Sequence, residues 1–180
     1  MQQKLEKIKL VITDVDGVLT DGQLHYDLHG EAIKSFHVRD GLGIKMLMES
    51  GIQVAVLSGR DSAILRRRIA DLGITLFFLG KLEKESACFE LMKQAGVTPE
   101  ETAYIGDDTV DLPAFAVCGL SFAVADAPVY VKNASDYVLS LGGGKGAFRE
   151  ISDMILTAQG KSAVFDSAQG FLKSVKNMTQ

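Results

Sequence analysis

Two acidic clusters stand out as residues able to do chemistry: "DVDG" at 14–17, with Asp21 close behind, and "GDDTVD" at 106–111. Each follows a short apolar run, "LVIT" and "AYI", of the kind that forms a buried strand. Carboxylates one residue apart repel, and drawing them out of water is costly unless a positive partner is present. A divalent cation with a taste for oxygen ligands, Mg²⁺ above all, meets that demand and leaves room for water and phosphate. A lone aspartate after a strand reads as a turn cap; Asp14 and Asp16 with Gly17 behind them read as metal and phosphate chemistry. Asp107, Asp108 and Asp111 repeat the pattern at a second strand end.

Two further stations lie between the clusters. In "VLSGRD" (56–61) the Ser58 hydroxyl and the Gly59 and Arg60 amides precede a helix and suit a phosphate oxygen. The competing reading is that Ser58 caps that helix. In "GKLEKESACF" Lys84 stands on or just before a helix, where a lysine is ordinarily solvated, and Lys81 competes for the same role.

The elements that must position these groups recur along the chain. Strands are expected at Ile8–Thr13, Gln53–Leu57, Thr75–Leu79, Thr102–Gly106, Leu120–Val124 and Asp136–Ser140, with helix-length segments between them. That alternation predicts an α/β fold, a three-layer doubly wound parallel sheet of Rossmann-like type, with ligands bound beyond the carboxyl ends of the strands. One segment breaks the pattern. Residues 22–38 read as a protruding β-hairpin turning near "DLHGE", with Leu24, Tyr26, Ile33 and Phe36 on its arms. A lone hairpin is marginal in water, so this one is expected to pack against something, a second subunit included. Residues 1–158 form one domain, and 159–180 a tail that either moves freely or docks over a site.

A chain of 180 residues with 47% hydrophobic residues, 23% charged and net charge −4 is ordinary for a soluble protein and has no general attraction for nucleic acid or anionic membrane. No apolar run nears the length of a bilayer span, and the start has no signal-peptide pattern. Cys88 and Cys118 read as isolated thiols of a cytoplasmic protein.

The ordered set "DVDGVLT", "LSG", Lys84 and "GDDTVD" resembles the haloacid dehalogenase superfamily of phosphotransferases. The resemblance implies that Asp14 is the nucleophile and Asp16 the general acid and base. It implies Mg²⁺ held by Asp14, the Asp16 backbone carbonyl and Asp107, and a phosphoryl group gripped by Ser58, Gly59 and Lys84. Asp108 and Asp111 would orient Lys84 or a metal-bound water. No interval has room for a cap domain. Together with "GEAIKSFHVRDGLGIK", "GLSFAVADA" and "GGGKGAFREI", this resembles the capless branch that hydrolyses phosphate esters of eight- or nine-carbon keto-deoxy sugar acids, the former in lipopolysaccharide assembly. Members of that branch are homotetramers whose hairpins associate, so a neighbouring subunit would complete the site. Arg60, and secondarily Arg39, are candidates for the sugar acid carboxylate, which a guanidinium binds bidentately. "GGGKG" is no P-loop, and the resemblance puts it near the site entrance; Arg66–Arg68 read as a solvated helix face, and His25, His29 and His37 as structural. Competing expectations are a protein or nucleotide phosphatase and a non-catalytic assembly subunit.

Overall fold

The computed structural model describes residues 1–175. One helical turn, α1 (Gln2–Leu5), leads into β1 (Leu10–Thr13), whose four residues are all buried. The hairpin strands β2 (His25–Asp27) and β3 (Gly30–Ile33) follow, then α2 (Val38–Glu49), β4 (Gln53–Ser58), α3 (Ala63–Leu72) and β5 (Leu76–Leu79). The second half runs α4 (Glu85–Ala95), β6 (Thr102–Gly106), α5 (Leu112–Val117), β7 (Leu120–Ala123), α6 (Val129–Ala134), β8 (Tyr137–Val138), α7 (Ala147–Ala158), α8 (Ala163–Asp166) and α9 (Ala168–Val175).

Six strands pair in parallel in the order β5-β4-β1-β6-β7-β8, with helices on both faces. Parallel strands buried on both sides need unbroken apolar runs rather than alternation, and Leu10–Ile12, Val54–Leu57 and Ala103–Ile105 supply them. The expected strands all form: three are shortened by one or two residues, Thr102–Gly106 is unchanged, Gln53–Ser58 is one residue longer, and the last is cut from five residues to the two of β8. Phe148 and Ile151 of α7 and Leu91 of α4 are fully buried in the same core.

Register positions the chemistry. Thr13 lies opposite Val56 on one side and Ile105 on the other, so the chain leaves β4, β1 and β6 along one edge. The residues that follow are the serine station and the two acidic clusters.

The hairpin is shorter than the 22–38 expected, with a register shift at His25/Tyr26, and stands apart from the main sheet. Tyr26 and Ile33 are 59% exposed and Leu28 wholly so. Phe36 is not an arm residue. It packs against the core, under the Arg68 guanidinium 5.4 Å from its ring, so Arg68 is no solvated decoration. His37 caps α2, its Nδ1 accepting from the Arg39 amide.

The start of the tail is anchored. The Gln159 side chain donates from Nε2 to the Ile8 carbonyl at 2.8 Å, Val164 is buried, and Phe165 lies against Arg149 at 5.7 Å. The last part of the tail, 176–180, lies outside the described residues. Among those described, no helix is long and apolar enough to cross a membrane.

Candidate active site

β1 carries its pairing one residue further, since the Asp14 amide donates to the Ile105 carbonyl at 3.1 Å. The chain then curls, the Val15 carbonyl accepting from the amides of Val18, Leu19 and Thr20. Gly17 makes the curl possible at φ +95°, and a Cβ there would sit 2.0 Å from Asp107 Oδ2. The two acidic clusters are therefore in contact across the glycine. The "GGGKG" loop braces the same curl from outside, the Gly144 amide donating to the Val18 carbonyl at 2.9 Å.

Ser58 is buried at the end of β4, and its Oγ accepts from the Arg60 amide at 3.1 Å. It does not cap α3. Ser62 does, accepting from the Leu65 amide. Lys84 overturns the solvated reading altogether: it is 0% exposed, while Lys81 lies at the surface. Its Nζ donates to Asp111 Oδ1 at 2.6 Å and Tyr104 Oη at 3.1 Å, and lies 3.2 Å from Asp14 Oδ1.

Asp111 is the hub. Its Oδ1 accepts from Lys84 and, at 2.7 Å, from the Tyr104 hydroxyl; its Oδ2 accepts from the Asp107 and Asp108 amides at 2.8 and 3.1 Å. Carboxylate oxygens of Asp14, Asp107 and Asp111 lie within 4.8 Å of one another. With both Asp111 oxygens engaged, Asp14 and Asp107 are the pair left facing the cleft. Asp108 does not join the Lys84 cluster; its Oδ1 accepts from the Thr109 amide at 2.7 Å and from the Tyr130 hydroxyl.

The electrostatics of this cluster are unbalanced. Burial pushes Asp14 up to about 7 despite the nearby Lys84 ammonium. Burial, with Asp14 and Asp111 adding to it, pushes Asp107 up to about 8. Burial alone would lower Lys84, but Asp14 and Asp111 more than reverse this and its pKa is raised. One ammonium serves three carboxylates. The hard-oxygen donor set of Asp14 and Asp107 thus fits a divalent cation both chemically and in charge.

Asp16 stands at the other wall, beside the hairpin. Its Oδ1 bonds to Lys34 Nζ and its Oδ2 lies 3.7 Å from Arg60 Nε. Arg60 Nη2 in turn donates to the Tyr26 hydroxyl at 2.6 Å. Arg39 is exposed on the first turn of α2 and does not line the cleft of its own chain. The cleft, about 200 Å³ and open, is lined by Asp14, Asp16, Ser58, Gly59, Arg60, Lys84, Asp107 and Asp108, with Leu82 and Val110 on its rim.

Sequence reasoning missed Lys34, Glu31, Tyr26 in its polar role, and Tyr104. Tyr104 reads as one more apolar residue of β6, and Lys34 as an ordinary hairpin lysine. Nothing in the spacing of "EAIK" marks a cation bound for Asp16.

A family model for haloacid dehalogenase-like hydrolases matches residues 36–119. The 3-deoxy-D-manno-octulosonate 8-phosphate phosphatase of Haemophilus influenzae is 85% identical over all 180 residues, covering 100% of each chain. The chain belongs to the haloacid dehalogenase-like hydrolases. Within them it is similar to the enzyme of the same name from Escherichia coli, 44% identical over 93% of this chain and 87% of the other. Among solved structures, the cobalt-bound H. influenzae phosphatase superposes with a TM-score of 0.93, covering 94% of this chain and 99% of that one. The Moraxella catarrhalis phosphatase, in complex with magnesium, phosphate and KDO, does so with 0.87 at 41% identity, over 91% and 94%.

Proposed function

We propose that the chain is a Mg²⁺-dependent phosphatase that hydrolyses 3-deoxy-D-manno-octulosonate 8-phosphate to the sugar acid and phosphate, a step in lipopolysaccharide synthesis. The observation that carries this reading is the meeting of Asp14, Lys84 and Asp107 at one strand edge, in a chain 85% identical from end to end to an enzyme of that name.

The residues divide the work. Asp14 attacks phosphorus and forms an aspartyl phosphate as the ester P–O bond breaks. Asp16 hands its proton to the departing sugar oxygen. It then takes a proton from the water that attacks the aspartyl phosphorus, which frees phosphate and restores both aspartates. Ser58, the Gly59 amide and Lys84 hold the phosphoryl oxygens where charge builds up. Asp14 and Asp107, with the Asp16 carbonyl, would hold Mg²⁺, whose charge offsets the clustered carboxylates and the phosphate. Asp111 keeps Lys84 and the Asp107 loop in place. Arg60, held against Tyr26, is the group for the sugar acid carboxylate.

The cleft is open in one chain, and the exposed Leu24, Tyr26, Leu28 and Ile33 give the hairpin an apolar surface that a neighbouring subunit would cover. A homotetramer in which neighbours enclose the substrate follows from this reading, Arg39 then serving across a subunit boundary. The buried free thiols Cys88 and Cys118 suit the cytoplasm.

The test is a turnover screen, with and without Mg²⁺, across eight- and nine-carbon sugar acid phosphates, nucleotides and phosphopeptides. The eight-carbon ester should give the highest kcat/KM. A value no better than for generic esters would end the substrate assignment, and a preference for the nine-carbon acid would transfer it.

A further inference from the structure

Lys34 follows directly on β3, in a hairpin that otherwise faces outward, yet its side chain is 1% exposed. A charged ammonium is hidden at that cost only where it is paired. Its partners are Asp16 Oδ1 and, at 2.9 Å, Glu31 Oε1. Glu31 is itself nearly hidden, with 8% of its side chain exposed. The Thr20 hydroxyl lies 3.3 Å from the same Asp16 oxygen. Asp16 Oδ2 is different: it is buried with no hydrogen-bond partner among the described residues, Arg60 Nε lying 3.7 Å away, while Asp16 as a residue lines the cleft. Lys34 is absent from the cleft lining.

We infer that Lys34 is a positioning residue for phosphoester cleavage: the hairpin ammonium pins Asp16 Oδ1 and so sets the orientation of the carboxylate toward the leaving oxygen. Glu31 balances the buried cation and holds its stem against the hairpin. Lys34 acts through Asp16 and touches no substrate. A carboxylate free to rotate would present either oxygen, or neither, to the bridging atom, and a displacement of about 1 Å in such a group costs on the order of 10²-fold in rate. The hairpin is therefore a wall of the acid's pocket as well as a surface element. This inference rests on the reading of Asp16 as acid and base.

The experiment compares two leaving groups in the full-length protein with Mg²⁺. An alkoxide such as the sugar oxygen needs a proton as it departs; 4-nitrophenolate does not. In Lys34→Met, kcat/KM for the sugar acid phosphate should fall by about 10²-fold, within the range that general acids contribute. For 4-nitrophenyl phosphate it should fall at least tenfold less. Lys34→Arg, which keeps a cation at the position and guards against a folding defect in the first variant, should recover about tenfold of the lost sugar-ester activity. Equal losses on both esters at an unchanged melting temperature would overturn the inference, as would full sugar-ester activity in Lys34→Met or no recovery in a folded Lys34→Arg. Failure of the substrate assignment is seen separately, in the wild type's choice among esters, because the leaving-group contrast holds for any alkyl phosphate it cleaves. A wild type that cleaves no alkyl phosphate overturns both.

Discussion

Asp14 and Asp111 are neighbours of one type and opposite circumstance. Asp111 has four hydrogen bonds and Asp14 has a long contact with Lys84 and a pKa pushed up to about 7 by burial. In Asp111→Asn an amide cannot accept at both ends, so either Lys84 or two backbone amides lose a partner. Breaking such a buried pair costs about 3 kcal/mol, and urea denaturation should read that loss together with a fall in kcat. Asp14→Asn should behave the other way. Its charge is uphill in the fold above pH 7, so removing it should leave the metal-free protein at pH 8 equally or more heat-stable. Turnover should meanwhile fall more than about 10³-fold, as when a nucleophile is removed. A destabilised Asp14→Asn with retained turnover would contradict both halves. Gly17→Ala would drive a methyl to 2.0 Å from Asp107 Oδ2 in a left-handed conformation. The backbone strain alone is about 1–2 kcal/mol, and calorimetric titration should show weakened Mg²⁺ binding as Asp107 is displaced.

The three strands β4, β1 and β6 act as a unit, because parallel pairing in register brings their carboxyl ends level. Chemistry drawn from three strand ends needs no long loops to converge. The sequence pattern shows these strands plainly: "IKLVIT", "QVAVL" and "TAYIG" fall within a residue or two of their observed bounds. The hairpin is visible too, but the pattern extends its arms too far, because Phe36 looks like an arm residue until Arg68 and the core claim it. Its exposed turn residue Leu28 makes the assembly testable. Leu28→Glu should leave the melting temperature of a single chain nearly unchanged, since the side chain is wholly exposed there. Under the proposed tetramer, sedimentation should show it shifted toward smaller species than the wild type. A wild type that sediments as a stable monomer would remove the hairpin's role in closing the cleft.

Over the whole molecule, protons and metal are linked through the site. Asp14 and Asp107 rise from 3.8 to about 7 and about 8 in the fold, so between those limits the folded chain binds more protons than the unfolded one. Metal-free stability from this source is full at acid pH and declines as pH climbs from about 4 to about 8. Mg²⁺ held by both groups would need them ionised and would displace those protons, so its affinity should rise over the same interval. The gain in melting temperature on adding Mg²⁺ should thus be larger at pH 8.5 than at pH 6. A gain that shrank with pH would show that these carboxylates are not the ones the ion meets.

Residue types and local order were enough to reveal the α/β fold, the strand ends that matter and the family, and through the family resemblance to propose Asp14, Asp16, Ser58, Lys84 and Asp107 as a set. These signals are local: an apolar run, a turn glycine and the polar residue behind it sit within a few positions of one another. Tertiary structure alone decided that Lys84 is buried on Asp111, that Asp111 holds the loop while Asp108 turns to Tyr130, that Arg60 leans on Tyr26, and that Lys34 reaches Asp16. Periodicity tells which face a side chain takes, but its partner is chosen by where distant segments meet. A hidden cation and an exposed one look alike until the chain has closed around them.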